Sequence, residues 1–240
     1  MAVNKVDFYV DEGEIFGLIG PNGSGKTTLF NVISKVYKGD GGQVIFRAED
    51  ITDLPPHKVA ERGVGRTYQG SKVFPGLTLL ENVIIGRHCR TKTNLWDAVV
   101  KTRRARSEES GNREKATQVL ELVGLGERKD QIVSDLPYAM RSTLGIAMAL
   151  ASDAVLLLLD EPAAGLNPTE TVEAMERIKK IREAGITIFL VEHNMKAIMT
   201  TCERIMVLNY GSKITEGTAQ EIRSDKRVIE AYLGGGVCLK

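Results

Sequence analysis

The stretch Leu18-Ile19-Gly20-Pro21-Asn22-Gly23-Ser24-Gly25-Lys26-Thr27-Thr28 constrains this chain more than any other. From Gly20 to Thr27 it fits the pattern G-x-x-x-x-G-K-[ST]. Gly20, Gly23 and Gly25 lack a Cβ, so the backbone can curl and approach a ligand closely. A curled backbone aims several N–H groups inward and forms an anion nest. A helix starting near Lys26 adds the positive end of its dipole. Lys26 brings a mobile charge to the outer phosphates, and the Thr27 hydroxyl suits Mg²⁺. The candidate phosphate-binding residues are therefore Gly20, Pro21, Asn22, Gly23, Ser24, Gly25, Lys26, Thr27 and Thr28. Ile15 to Ile19 is an apolar run ending at the loop, and Leu29, Ile33 and Val36 continue beyond it as a helix. That strand–loop–helix context separates the stretch from a plain glycine-rich turn.

Phosphoryl transfer needs a second hold on the metal and a group that orients the attacking water. Leu156-Leu157-Leu158-Leu159-Asp160-Glu161 supplies both: four leucines bury a strand and two carboxylates emerge at its end. Asp160 is placed to hold Mg²⁺ through water, and Glu161 to act as general base. Alone, such a run is usually a strand leaving the core. Gln69 follows another predicted strand, where its amide could contact Mg²⁺ and the water. His193, after the strand Ile186 to Val191, could reach the γ-phosphate. A lone Gln or His at a strand end is more often solvated or structural. Both gain meaning only beside the phosphate loop.

Along the chain, strands are expected at Val6 to Val10, Ile15 to Ile19, Gln43 to Phe46, Val64 to Tyr68, Val155 to Leu159, Ile186 to Val191, Ile205 to Leu208 and Lys213 to Thr215. Helices are expected from Pro55-Pro56 to Arg62, from Thr78 to about Ile85, along Ala116 to Val123, from Asn167-Pro168 to Ala184, over Asn194 to Cys202, and near Thr218 to Arg223 and Lys226 to Tyr232. Thr78-Leu79-Leu80-Glu81 is a capping box. Gly63, Gly124 and Gly185 are stops. The block from about 77 to 150 is mostly helical, with a polar, basic stretch from Arg87 to Arg113. Alternating strands and helices predict a largely parallel sheet with helices on both faces.

The 240 residues suffice for one large domain or a core with an attached lobe. A net charge of +1, from 32 basic and 31 acidic residues, argues against a surface built for nucleic acid. Cys89, Cys202 and Cys238 fit no metal or redox spacing. No apolar run approaches the roughly 18 residues of a membrane span, and Met1 to Val10 does not resemble a secretory signal.

Together, the phosphate loop, Gln69, the four-leucine Asp160-Glu161 strand, Ala164-Gly165-Leu166-Asn167-Pro168 and His193 resemble the nucleotide-binding domain of ATP-binding cassette (ABC) transporters. The segment from Asp160 to Pro168, Glu192-His193-Asn194-Met195-Lys196 and the ending Ile229-Glu230-Ala231-Tyr232-Leu233-Gly234 are similar to the ATPase subunits of branched-chain amino acid importers. The resemblance implies an α/β, P-loop NTPase-type fold: a mostly parallel sheet, a small antiparallel β part and a helical subdomain at about 77–150, all within one domain spanning 1–240. It implies ATP and Mg²⁺ as cofactors, with Thr27, Gln69 and Asp160 at the metal and Glu161 and His193 catalytic. It also implies transmembrane permease subunits as partners, a second ABC ATPase subunit (homo- or heterodimer) facing each phosphate loop with its signature segment, and a place on the cytoplasmic face of the membrane. No nucleic acid is expected. The alternatives are a lipid or lipopolysaccharide export ATPase, an ABC ATPase acting on nucleic acid or ribosomes, supported only by the basic run, and a weakly active regulatory relative. A small-molecule kinase would share Lys26 and Thr27 but would not require Glu161 and His193.

The sequence departs from the family twice. Where a Leu-Ser-Gly-Gly-Gln-type signature leads a helix, this chain has Leu136-Pro137-Tyr138-Ala139-Met140-Arg141. Pro137 offers neither a hydroxyl nor an N–H, Ala139 adds a Cβ, and Met140 replaces an amide. Pro137 also suits the first position of a helix. The expectation is weak ATP-driven dimerisation and slow turnover. Second, family members usually carry an earlier strand whose aromatic stacks on adenine. Phe8 and Tyr9 lie on the following strand and read as core, so adenine stacking is expected to be absent.

Overall fold

A computed structural model of the chain describes residues 2–67, 73–90 and 103–233, without the side chains of 103–106 and 233. Gln69 therefore lies outside the described residues, as do Cys238 and 91–102 of the basic stretch. The elements run β1 (Ile15–Ile19), α1 (Lys26–Ile33), β2 (Ile45–Phe46), β3 (Glu49–Asp50), α2 (Pro56–Glu61), β4 (Val64–Arg66), α3 (Leu79–Gly86), α4 (Arg103–Leu122), α5 (Tyr138–Leu150), β5 (Leu156–Asp160), α6 (Pro168–Glu183), β6 (Thr187–Val191), α7 (Met195–Thr201), β7 (Arg204–Asn209), β8 (Ser212–Gly217), α8 (Ala219–Ser224) and α9 (Lys226–Leu233).

Six strands form one sheet in the order β4-β5-β6-β1-β7-β8. All neighbours are parallel except β8, which turns back antiparallel on β7. A parallel sheet covered on both faces requires apolar side chains at every position of its inner strands. The unbroken runs at β1, β5 and β6 meet that need. Alternate residues point to opposite faces. Leu157, Leu159, Ile188 and Leu190 join Ile15 and Ile19 in a core with Leu144 of α5 and Ile178 and Ile181 of α6. Leu158, Phe189 and Val191 join Phe16 and Leu18 in a second core, against Leu29 and Phe30 of α1. There Phe189 packs at 5.3 Å from Phe16 and 4.8 Å from Phe30 between ring centroids. Each such buried side chain contributes roughly 1.5–3 kcal/mol of transfer free energy.

Local signals hold where they rest on chemistry within a few residues. Thr78 with Glu81, Asn167 with Glu170 and Thr218 with Glu221 form reciprocal capping boxes. The stops at Gly63, Gly124 and Gly185 all have positive φ.

Several expectations are corrected. Val6 to Val10 keeps its alternation, with 6, 8 and 10 half-buried, but pairs with no strand among the described residues. Side chains meet two of its carbonyls: Lys213 donates to the Asp7 carbonyl oxygen and Arg204 to that of Tyr9. Phe8 stacks on Phe16, whereas Tyr9 is 63% exposed beneath the Arg204 guanidinium rather than in the core. The short strand at 43–46 shrinks to β2 and pairs antiparallel with β3, at positions where no strand was expected. Arg47 and Ala48 turn between them, both at positive φ and without the glycine that usually marks such a turn. Pro137 is the N-cap of α5 rather than its first residue. Arg87, which opens the polar, basic stretch of the sequence, is 4% exposed and donates to the Ala151 carbonyl, Asp153 and Asn112.

Candidate functional site

Ligands of parallel sheets gather beyond the carboxyl ends of the strands. β1, β5 and β6 are neighbours, and their ends carry Gly20, Asp160–Glu161 and, two residues on, His193. Three motifs far apart in sequence thus meet because three strands pair in register, Leu18 with Val191 and Asp160 with Val191.

The loop after β1 is held tightly. A Cβ on Gly20 would lie 2.1 Å from the Leu208 carbonyl oxygen, and one on Gly25 would lie 2.4 Å from that of Ala2. Gly25 is the N-cap of α1, in the left-handed region at φ 104°. Ser24 is buried, and its Oγ has no hydrogen-bond partner among the described residues. Lys26 is 6% exposed, and its ammonium donates to the carbonyls of Gly20 at 2.7 Å and Pro21 at 3.0 Å. The loop thus closes on its own lysine. Burial lowers the Lys26 pKa, while Glu161 and Asp160 pull it back up. Asn22 and Thr27 are exposed; Pro21 and Thr28 are half-buried.

Asp160 ends β5 with its side chain 7% exposed, and Arg66 of β4 approaches at 3.6 Å. Burial raises the Asp160 pKa, Glu161 adds to the rise, and Arg66 and His193 oppose it. Glu161 sits at φ +51°, a left-handed conformation that costs a non-glycine residue on the order of 1–3 kcal/mol. Its N–H donates to the Val191 carbonyl at 2.9 Å, and its Oε1 lies 2.6 Å from His193 Nε2. The kinked backbone turns the carboxylate from the strand axis toward the histidine. Lys26, Asp160, Glu161 and His193 therefore lie near one another.

Three neighbours escaped sequence reasoning. Arg66 reads only as a position inside the strand expected at Val64 to Tyr68, which in the structure ends at Arg66 itself. Glu192 is buried and accepts the N–H of Ala163 at 2.7 Å and that of His193 at 3.1 Å, tying the turns after β5 and β6 together. Burial raises its pKa against those backbone donors. A carboxylate between Val191 and His193 was its only sequence signal. Tyr232 of α9 places its hydroxyl against the Gly20 N–H, and burial pushes its pKa up to about 12.

The segment Pro137 to Met140 opens α5, and among the described residues no side chain caps that end. Tyr138 lies over Gly165, where a Cβ would stand 3.3 Å from its ring, and Ser142 donates to the Pro162 carbonyl at 3.0 Å. The start of α5 is thereby joined to the turn that carries Glu161. Among the described residues no helix is long and apolar enough to cross a membrane.

A phosphate loop, paired acids and a histidine at adjacent strand ends, with helices α3 to α5 set beside them, define an ATP-binding cassette ATPase. The sequence model "ABC transporter" matches residues 3–164, and the chain belongs to that family. A second model, "Branched-chain amino acid ATP-binding cassette transporter", matches residues 212–237. The chain is 41% identical to the high-affinity branched-chain amino acid transport ATP-binding protein LivG of Salmonella typhimurium, over 98% of this chain and 92% of that protein. It is 40% identical to BraF of Pseudomonas aeruginosa over the same shares. The lipopolysaccharide export ATP-binding protein LptB of Haemophilus influenzae is 32% identical, over 97% and 91%. The ADP conformation of MJ1267, an ATP-binding cassette of an ABC transporter, superposes with a TM-score of 0.84 at 30% identity, covering 97% of this chain and 92% of that one. A dimeric post-hydrolysis state of the cassette MJ0796, bound to ADP and Pi, gives 0.73 at 26% identity, covering 91% and 90%.

Proposed function

We propose that this ATPase powers the import of branched-chain amino acids, seated on the cytoplasmic face of the membrane by permease subunits and paired with a second cassette subunit. The carrying observation is the likeness to LivG and BraF over nearly the whole chain, joined to the branch-specific match over β8, α8 and α9. The lipopolysaccharide exporter subunit is a more distant relative, at 32% against 41% identity. We treat 1–240 as one nucleotide-binding domain with 77–150 as its helical part.

Lys26 and the loop N–H groups bind the phosphates, and the unpartnered Ser24 Oγ offers one more polar contact. The donors fit Mg²⁺, a hard cation met by one or two carboxylates while phosphate and water complete its shell. Asp160, the Thr27 hydroxyl and Gln69 would hold it, and Mg²⁺ supplies neutralisation of phosphate charge. Among the described residues no three acidic, His or Cys side chains are arranged to hold a metal ion by themselves, and this ligand set needs none. Glu161 takes the proton of the attacking water at a carboxylate oxygen. His193 orients that carboxylate and faces the γ-phosphate.

The test is purification with the membrane subunits that accompany the chain, and reconstitution in vesicles. ATP-driven uptake of leucine is expected. Its absence, with ATP-driven lipid extraction in its place, would overturn the importer reading.

Pro137 replaces a serine hydroxyl and an N–H at the surface offered to a partner's phosphates. One missing charge-assisted contact costs roughly 1.5–3 kcal/mol, about tenfold or more in rate. Pro137→Ser is expected to raise ATP turnover by about that factor in a steady-state phosphate-release assay. Unchanged turnover would count against the assignment.

A further inference from the structure

Arg66 has a place that the mechanism above does not use. Its guanidinium is all but sealed from water, with the side chain 7% exposed. Nη1 donates to Ser34 Oγ at 2.5 Å and to the Phe30 carbonyl at 3.3 Å, and the guanidinium carbon lies 5.9 Å from the centre of the Phe30 ring. Nη2 lies 3.6 Å from Asp160 Oδ2. Ser34 caps the far end of α1, the helix that begins at Lys26 and Thr27. Arg66 therefore grips the helix that carries the phosphate-binding lysine and the strand end that carries the buried acid.

We propose that Arg66 is a positioning residue and the resident counter-ion of Asp160, occupying the acid until the nucleotide's divalent cation displaces it. The proposal rests on the reading of Asp160 as a metal-holding residue. A buried carboxylate without a partner is strongly disfavoured, and the Arg66 guanidinium at 3.6 Å is the partner that holds Asp160 in place. When a divalent cation approaches, a fixed positive charge 3.6 Å from the same carboxylate opposes it. Arg66 thus stabilises the empty site and raises the concentration of Mg²⁺ needed to fill it. A residue that merely braced the fold would not set the metal requirement in this direction. The planar guanidinium suits the double task, because it reaches Ser34, Phe30 and Asp160 from one rigid fork.

The test compares Arg66→Met and Arg66→Lys with the wild-type chain. A fluorescent ATP analogue is titrated with Mg²⁺, and melting temperature is read with and without Mg²⁺ and nucleotide. For Arg66→Met, the half-saturating Mg²⁺ concentration is expected to fall roughly tenfold, the size of one nearby charge at an intermediate dielectric. Its melting temperature falls without ligand and recovers more than that of the wild type with Mg²⁺ and nucleotide. Arg66→Lys keeps the charge and is expected to need Mg²⁺ within about threefold of wild type. An unchanged or higher Mg²⁺ requirement in Arg66→Met overturns the proposal. If that variant does not fold, Arg66→Gln, which retains a donor for Ser34, gives the same readout. Asp160→Asn separates the two readings. If it binds the analogue with wild-type Mg²⁺ dependence, the metal role of Asp160 fails. If it loses that dependence while Arg66→Met is unchanged, only the role of Arg66 fails.

Discussion

Glu161→Gln is expected to bind ATP as tightly as the wild type and to hydrolyse it about 10²–10⁴-fold more slowly, the usual contribution of a general base. Glutamine matches the shape of glutamate and can still meet His193 Nε2, which lies 2.6 Å from Oε1. The left-handed backbone at 161 is unaffected, so the side chain stays where it was. What is lost is the capacity to accept a proton. Glu161 also attracts Lys26 electrostatically, so neutralising it leaves the lysine freer to meet phosphate. Nucleotide affinity should hold or rise. Single-turnover hydrolysis beside equilibrium binding checks both halves, and a variant that turns over at the wild-type rate would remove Glu161 from its role.

Lys26→Ala should do the opposite, lowering nucleotide affinity by about 10²-fold or more, since each charge-assisted phosphate contact contributes roughly 1.5–3 kcal/mol. The geometry adds a second expectation. The ammonium donates to the Gly20 and Pro21 carbonyls, deep in the loop and against the cost of burial. Removing it takes away those bonds together with a buried charge, two effects of opposite sign. The melting temperature of the nucleotide-free protein should therefore move little while binding collapses. Calorimetric titration together with thermal unfolding distinguishes this from general destabilisation, and an affinity left intact would contradict the assignment of the loop.

Much of this was legible from residues alone wherever the physics is local. A glycine pattern announces a backbone that must curl. A threonine or asparagine three residues before a glutamate announces the start of a helix, as at Thr78, Asn167 and Thr218. An unbroken run such as Leu156 to Leu159 announces a strand buried on both faces. Arg87 could not be placed in this way, because a basic stretch looks the same whether its charges face water or a buried carbonyl. At Val6 to Val10 the alternation was real, but pairing depends on a neighbour that alternation does not describe. Glu192 and Tyr232 gave almost no signal, since each acts on a residue brought near only by folding.

By itself, the sequence determined the kind of chemistry and the elements that carry it: a phosphate loop, paired acids, a histidine, and strands and helices in alternation. Only the tertiary structure decided that Arg66 stands against Asp160, that Glu192 ties two turns together and that a tyrosine from the last helix touches the loop after the first strand. The reason is range. Caps, turns and faces are settled by neighbours within a turn or two of chain, whereas a buried charge finds its partner only when the sheet has set strands from opposite ends of the sequence side by side.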